Sequence, residues 1–350
     1  MAGCDSMTGS GILSVVCTLM LSVVGQQASP DDDDVLRMAM TEQWTTAFAD
    51  EDIRTGVRVS SDASPAGTLQ WTHSANQRTL ARGETEVKRS DDQSSTAEIV
   101  LRAQPLRDGV ILSTVLTAQF MPDEDKQIAA NLQHTITLFP RDPLAERTEW
   151  VKSLNLEVCD TSGKTYNAFD ELQWPYRSVR NSATFNDPDR HGVLIIGEGI
   201  ALDKNRSIAD AALEAAKAGR SVIMLAPADG TLPVPGMTDI GLEDNPLPGE
   251  LRFARQQVIT QLDKRLDARA WQGTRNAVPS RRMAMEIRRG QIMTAICDRP
   301  DGWPWMEIRY PETQGILIVC GFQIIDHWNN GPTPRYLLVR MLETMSKTDP

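Results

Sequence analysis

What the sequence lacks narrows its function first. Its 36 Lys and Arg residues are outnumbered by 47 Asp and Glu, giving a formal net charge of −11, and no basic stripe runs along the chain. That balance excludes a nucleic-acid partner, because binding a phosphate backbone needs clustered cations. The tightest basic cluster, Arg281, Arg282, Arg288 and Arg289, is interrupted by apolar residues and reads as a solvated face. Five cysteines form no CxxC pair, which removes zinc knuckles and thioredoxin-like redox sites. "GEG" at 197–199 continues as Ile200, Ala201 and Leu202 with no third glycine, so the dinucleotide-binding turn is absent. No cofactor and no metal-ligand set is therefore expected.

A spanning apolar run is missing too. Residues 11–25, "GILSVVCTLMLSVVG", are uncharged and have the length of a signal-peptide core, too short to cross a bilayer comfortably. Small residues at Gly25 and Ala28 offer cleavage points before the acidic "SPDDDD", although Asp5 stands where a basic residue is usual. The expected location is outside the cytoplasm, in periplasm or medium, with membrane attachment only if this segment is retained. Export leaves Cys159, Cys297 and Cys320, which read as buried thiols; a Cys297–Cys320 disulfide is the alternative if their strands are neighbours.

What is present fits two domains, since 350 residues exceed the size at which one core usually stops growing. After a signal peptide (1–28), residues 29–55 read as an acidic segment with a short helix, on the four-residue spacing of Leu36, Met40 and Trp44. Residues 56–165 carry short alternating runs such as "GVRVSS", "GTLQWTHS" and "GVILSTVLTAQF", through to "SLNLEVCD" and the turn "DTSGKT". Several such strands at short spacing predict an antiparallel β-sandwich of immunoglobulin type. Polar residues 166–190 read as a linker. From 191 the pattern becomes "GVLIIG", the Ala-rich "SIADAALEAAKAG" and "SVIMLA", a strand, helix and strand of a parallel sheet. "RQQVITQLDKRLDARAW" predicts a further helix, "QIMTAICD" and "QGILIVCGF" further strands, and "TPRYLLVRMLETM" a closing helix.

Two resemblances attach to these runs. "VLIIGEG", "AAKAGRSVIMLAP" and "GILIVCGFQIIDHWNNGPTPRYLLVRMLETM" make residues 191–350 resemble the class I glutamine amidotransferase-like superfamily, which implies a doubly wound, flavodoxin-like α/β domain. "GTLQWTHSANQRTLARGE", "VLRAQPLRDGVILSTVLTAQF" and "NLQHTITLFPRDP" resemble the sandwich modules that accompany family 2 type glycosidases. An active amidotransferase implies a cysteine on the elbow after the second strand. Here that place holds Ala226, Pro227 and Ala228, so the resemblance implies a domain without its nucleophile.

Two functions compete. The first is an exported, non-catalytic binding or accessory protein, taking carbohydrate or another extracytoplasmic protein in polysaccharide processing. Trp303, Trp305 and Trp328, with Glu198 and Arg335, are its candidate ligand-binding residues, and Trp271 is a further stacking candidate. Indole faces pack against sugar C–H surfaces, and "WPW" fits a core strand poorly because Pro304 cannot donate to a ladder. The second is a hydrolase using Glu198, Asp229, Asp326 and His327, with Asp203 nearby, at the carboxyl ends of parallel strands where ligands of open α/β sheets bind. Convergence of these groups favours the hydrolase. Scatter, or ion pairing with Arg206 and Arg335, favours binding.

Overall fold

Alternating burial builds the first half. The computed structural model describes residues 36–61, 65–88, 94–124, 127–187, 189–228, 230–234, 250–271, 284–288, 292–296 and 304–346. The expected signal peptide, the disulfide partner Cys297, Asp229 and Trp303 lie outside the described residues. The strands are β1 (Arg37–Met40), β2 (Thr46–Phe48), β3 (Ile53–Ser60), β4 (Gly67–Ala75), β5 (Arg78–Val87), β6 (Ser94–Leu101), β7 (Leu112–Pro122) and β8 (Ala130–Phe139). In β3, Ile53, Val57 and Val59 point inward while Arg54 and Arg58 are exposed, the period-two pattern of a half-buried strand.

Two sheets close over these apolar faces. One has the order β1-β3-β6, the other β2-β8-β7-β4-β5, and pairing is antiparallel except between β2 and β8. Val57 and Ile99 from the first sheet share one core with Leu69, Leu116 and Phe120 from the second. The expected helix near 36–53 is instead β1 and β2. Leu36, Met38 and Met40 also alternate, and it is this spacing that packs them, partly buried, on the sandwich core.

The second half is a mixed sheet with helices. Its elements are α1 (Thr148–Ser153), β9 (Glu157–Cys159), α2 (Lys164–Glu171), β10 (Arg177–Ser178), β11 (Leu194–Ile196), α3 (Arg206–Lys217) and β12 (Ser221–Leu225). They continue with β13 (Thr231–Val234), β14 (Glu250–Ala254), α4 (Gln257–Leu262), β15 (Ala284–Arg288), β16 (Ile292–Ile296), β17 (Trp305–Tyr310), β18 (Gly315–Cys320) and α5 (Pro332–Ser346). The large sheet runs β10-β9-β11-β12-β18-β17-β14, and its first five strands are parallel. β17 runs antiparallel to both of its neighbours, and β13, β15 and β16 form a separate small sheet. Helix α3 buries Ile208, Ala209, Ala212, Leu213, Ala215 and Ala216 and stops before Gly219, whose φ of +102° suits glycine. Among the described residues no helix is long and apolar enough to cross a membrane.

Three further expectations change here. "SLNLEVCD" does not join the sandwich: Glu157–Cys159 pairs in parallel with Leu194–Ile196. Residues 166–190 are not a linker, since α2, β10 and a 3-10 turn at Ser182–Thr184 fill them. The helix predicted across 255–271 is broken into α4 and a 3-10 turn at Arg269–Trp271. Extended Asp263 interrupts it because its carboxylate accepts from the Arg265 amide (3.0 Å) and side chain and from Arg340 Nη2 (2.6 Å).

The two halves meet through polar and aromatic contacts. Asp267 accepts from Thr45 N (2.5 Å) and Thr46 Oγ1 (2.9 Å), and Arg269 lies 3.8 Å over the Trp44 ring. On the other side Phe139 packs edge-on against Tyr336, whose hydroxyl donates to Pro140 O at 3.2 Å.

Candidate functional site

Five parallel strands end on one edge, and the residues just past them are brought together there. Past β9, Asp160 Oδ1 accepts from the amide and hydroxyl of Ser162 (2.7 and 2.8 Å), and Oδ2 accepts from Thr165 N (2.7 Å) in the first turn of α2. Asp160 therefore caps that helix from the loop before it, satisfying an amide that would otherwise be orphaned. Thr165 Oγ1 in turn accepts from Glu198 N (3.2 Å). Gly197 precedes it where a Cβ would stand 2.6 Å from the Cβ of Asp160, so only glycine lets the two loops approach this closely.

Glu198 is fully buried and its carboxyl oxygens accept two consecutive amides, Ile325 N at 2.7 Å and Asp326 N at 3.1 Å. It holds the turn that follows β18. Asp326 is exposed, and its Oδ1 receives Lys164 Nζ at 2.5 Å. The structure thus brings Glu198 and Asp326 together, and both are engaged. His327 contacts Gln323 O through Nδ1 at 3.0 Å and sits 6.2 Å from the Trp271 ring, so it packs beside the turn. Asp203 is exposed in the loop before α3. Arg206, exposed at the start of α3, makes no ion pair among the described residues.

The elbow after β12 offers no oxyanion donor. Ala226 N donates to Cys320 O (2.7 Å), Ala228 N donates to Ile200 O (2.9 Å), and Pro227 has no amide hydrogen. Two thiols do lie at strand ends on this edge, Cys159 and Cys320, both free and buried. Burial and the neighbouring Asp160 push the Cys159 thiol up to about 11, and burial raises Cys320 as well. Since the thiolate is the nucleophile, neither is poised to react. Among the described residues no group of His, Cys, Asp and Glu could hold a metal ion.

Of the tryptophans expected at a sugar-binding face, the three described ones, Trp271, Trp305 and Trp328, are core residues. Trp305 has no exposed surface and donates to Glu307 Oε1 at 2.9 Å; Pro304 lies just before the strand, where its missing N–H costs no ladder bond. Trp328 is 3% exposed and packs edge-on against Trp174, and Trp271 is 1% exposed. None offers a free indole face. Arg335, also expected to bind ligand, has no exposed surface. It donates to Trp328 O, Arg141 O and Glu171 Oε1, each at 2.9 Å, and to Asn329, so it ties α5 to the sandwich exit and to α2.

Sequence reasoning missed Asp160, Ser162, Lys164 and Thr165. "DTSGKT" reads as a hairpin turn only if a strand follows it. The signal was downstream, where Thr165, Ala168 and Phe169 recur at helical spacing on the inner face of α2 and Leu172, just past its end, continues the row.

No protein-family model matches the chain, and no curated protein matches it in sequence. The architecture is multidomain, β followed by α/β. A Paenibacillus cycloisomaltooligosaccharide glucanotransferase structure overlaps 55% of this chain and 28% of its own, at 10% identity and a TM-score of 0.25. A family 123 glycoside hydrolase from Clostridium perfringens overlaps 55% of this chain and 38% of its own, at 8% identity and a TM-score of 0.23. The human seminal-plasma complex of zinc 2-glycoprotein and prolactin inducible protein contains a chain that is 99% covered by 32% of this one, at 6% identity and a TM-score of 0.23. Overlaps this loose carry no functional argument.

Proposed function

We propose that this chain is an exported, non-catalytic accessory protein: an immunoglobulin-like sandwich joined to an amidotransferase-like, doubly wound domain whose reacting groups are gone. Its role is binding, to carbohydrate or to a partner protein in extracytoplasmic polysaccharide processing. The observation that carries this reading is the elbow Ala226–Pro227–Ala228, which has no nucleophile and whose two amides are both consumed by the fold. Glu198 supports it, because a carboxyl group that holds two backbone amides is not placed to activate water. Burial of Trp305 and Trp328 shifts the weight from stacking on sugars towards contact with a partner protein.

A glycan array and thermal-shift screen on the full chain, with and without divalent metals, tests the reading. Saturable stabilisation by an oligosaccharide that is recovered intact supports carbohydrate binding. A silent array together with specific capture of a polysaccharide-processing enzyme supports the partner role. Metal-dependent cleavage of any glycan overturns both.

A further inference from the structure

A cleft lies at the opposite edge of the parallel sheet, where β9 and β11 begin. Its volume is about 570 Å³, within the size range of small-molecule sites. Its floor is Glu157, buried at the first position of β9, and three guanidinium groups converge on that one carboxylate. Arg220 Nη2 approaches Oε2 at 2.6 Å from behind, with only 6% of its side chain exposed. Arg177 takes Oε1 from the cleft wall, and Arg190 stands 3.8 Å from Oε2.

Charge in this site is stratified by depth. Arg190 also approaches Asp187 at 3.3 Å, Asp189 lines the rim, and Lys152 on the wall is drawn to Glu149 at 2.8 Å. Those rim carboxylates are exposed or partly so, and exposed ion pairs are heavily screened by water. The inner layer keeps one carboxylate against three guanidinium groups. Burial, and after it the charge of the neighbouring Arg190, lowers the Arg220 pKa to about 10 against the opposing charge of Asp187. Arg177, with 57% of its side chain exposed, commits one nitrogen to Glu157, and a planar fork has further donors for an incoming oxyanion. Pro175 and Tyr176 give the same cleft an apolar wall, and Tyr176 is braced by stacking on Tyr166 at 5.6 Å.

We infer that this cleft binds a small molecule bearing an oxyanion, carboxylate or phosphate, with Arg177 and Arg190 holding the charged group and Tyr176 contacting its body. This site is separate from the carboxyl-end edge and stands whether or not the accessory reading holds. Matched probes test it by calorimetric titration of the full chain: galacturonate against galactose, and glucose 6-phosphate against glucose. The expected result is saturable binding of at least one acid and no binding of its neutral counterpart. Binding by either acid supports the inference, and binding by one acid but not the other identifies the anion source.

Arg177→Gln should weaken that binding by at least about tenfold, and Arg177→Lys should rescue it only in part, since a point charge lacks the fork geometry. Arg58→Gln, an exposed change on β3, should leave it unaltered. Arg177 is a surface side chain, so its variants are expected to fold; an unchanged melting temperature verifies this. Three results overturn the inference: no saturation by either acid up to about 10 mM, equal binding of acid and neutral sugar, or acid binding indifferent to Arg177→Gln.

Discussion

Replacing Glu198 separates a structural carboxyl group from a reacting one. In Glu198→Ala two amides lose their acceptor. Ile325 is 7% exposed, so its N–H is stranded away from water and costs about 2–3 kcal/mol, whereas the amide of exposed Asp326 can recruit water at about 1 kcal/mol. The sum is about 3–4 kcal/mol, a large share of the total stability of an ordinary domain. Glu198→Gln keeps one oxygen to accept an amide but sets its own NH2 against the other, so about 1–2 kcal/mol is expected. Urea denaturation followed by near-ultraviolet circular dichroism, with the slope checked for constancy, measures both values. A Glu198→Ala variant within about 0.5 kcal/mol of the parent would show that the two amides do not depend on this carboxyl group, since surface changes have effects of that size.

Three other consequences follow from the same geometry. Arg335→Leu leaves the buried carbonyl of Trp328 without its donor and should cost about 3 kcal/mol by urea denaturation, with Arg335→Lys recovering less than half. Buried His73 donates through Nε2 to Thr114 Oγ1 (2.8 Å), Thr114 donates to Ile136 O, and Nδ1 has no hydrogen-bond partner among the described residues, so the ring is neutral and burial lowers its pKa below 6.5. The unfolded chain then takes up a proton first on acidification, so this contribution is complete above about pH 6.5 and is lost as pH falls from there towards the folded pKa; His73→Gln should flatten the fall in urea midpoint over that window. Cys159, with its thiol near 11, should resist a disulfide reagent at about pH 8 in the native protein and react fully in denaturant; rapid native labelling at Cys159 would contradict its burial.

The parts of the fold that were legible in the sequence are those whose pattern has one solution. "GVLIIG", "SIADAALEAAKAG" and "SVIMLA" could only be buried strands around an amphipathic helix, and β11, α3 and β12 follow them closely. The alternation in β3 and β6 was equally plain. Glu157–Cys159 was not, because a three-residue strand carries too little period to choose between a sandwich and a parallel sheet; its neighbours Ser178 and Leu194 decide, and they are distant in sequence. Leu36, Met40 and Trp44 fit periods of two and four alike, and pairing with β3 selected the strand. At the site, the sequence alone shows that Ala226, Pro227 and Ala228 carry no nucleophilic side chain. The burial of Glu198 and Arg335 was not legible, since charged residues are rarely fully buried unless paired, and their partners, backbone groups of the turn after β18 and of Arg141, appear only in three dimensions.

The proposed accessory role requires that this edge of the α/β domain does no chemistry. Its most direct test is turnover by the purified full chain, measured as ammonia release from glutamine and as cleavage of a panel of nitrophenyl glycosides, for the parent, Asp326→Asn and Glu198→Gln side by side. A non-catalytic edge gives the same background signal from all three. A parent rate above background that Asp326→Asn abolishes, without loss of folded protein, would contradict it.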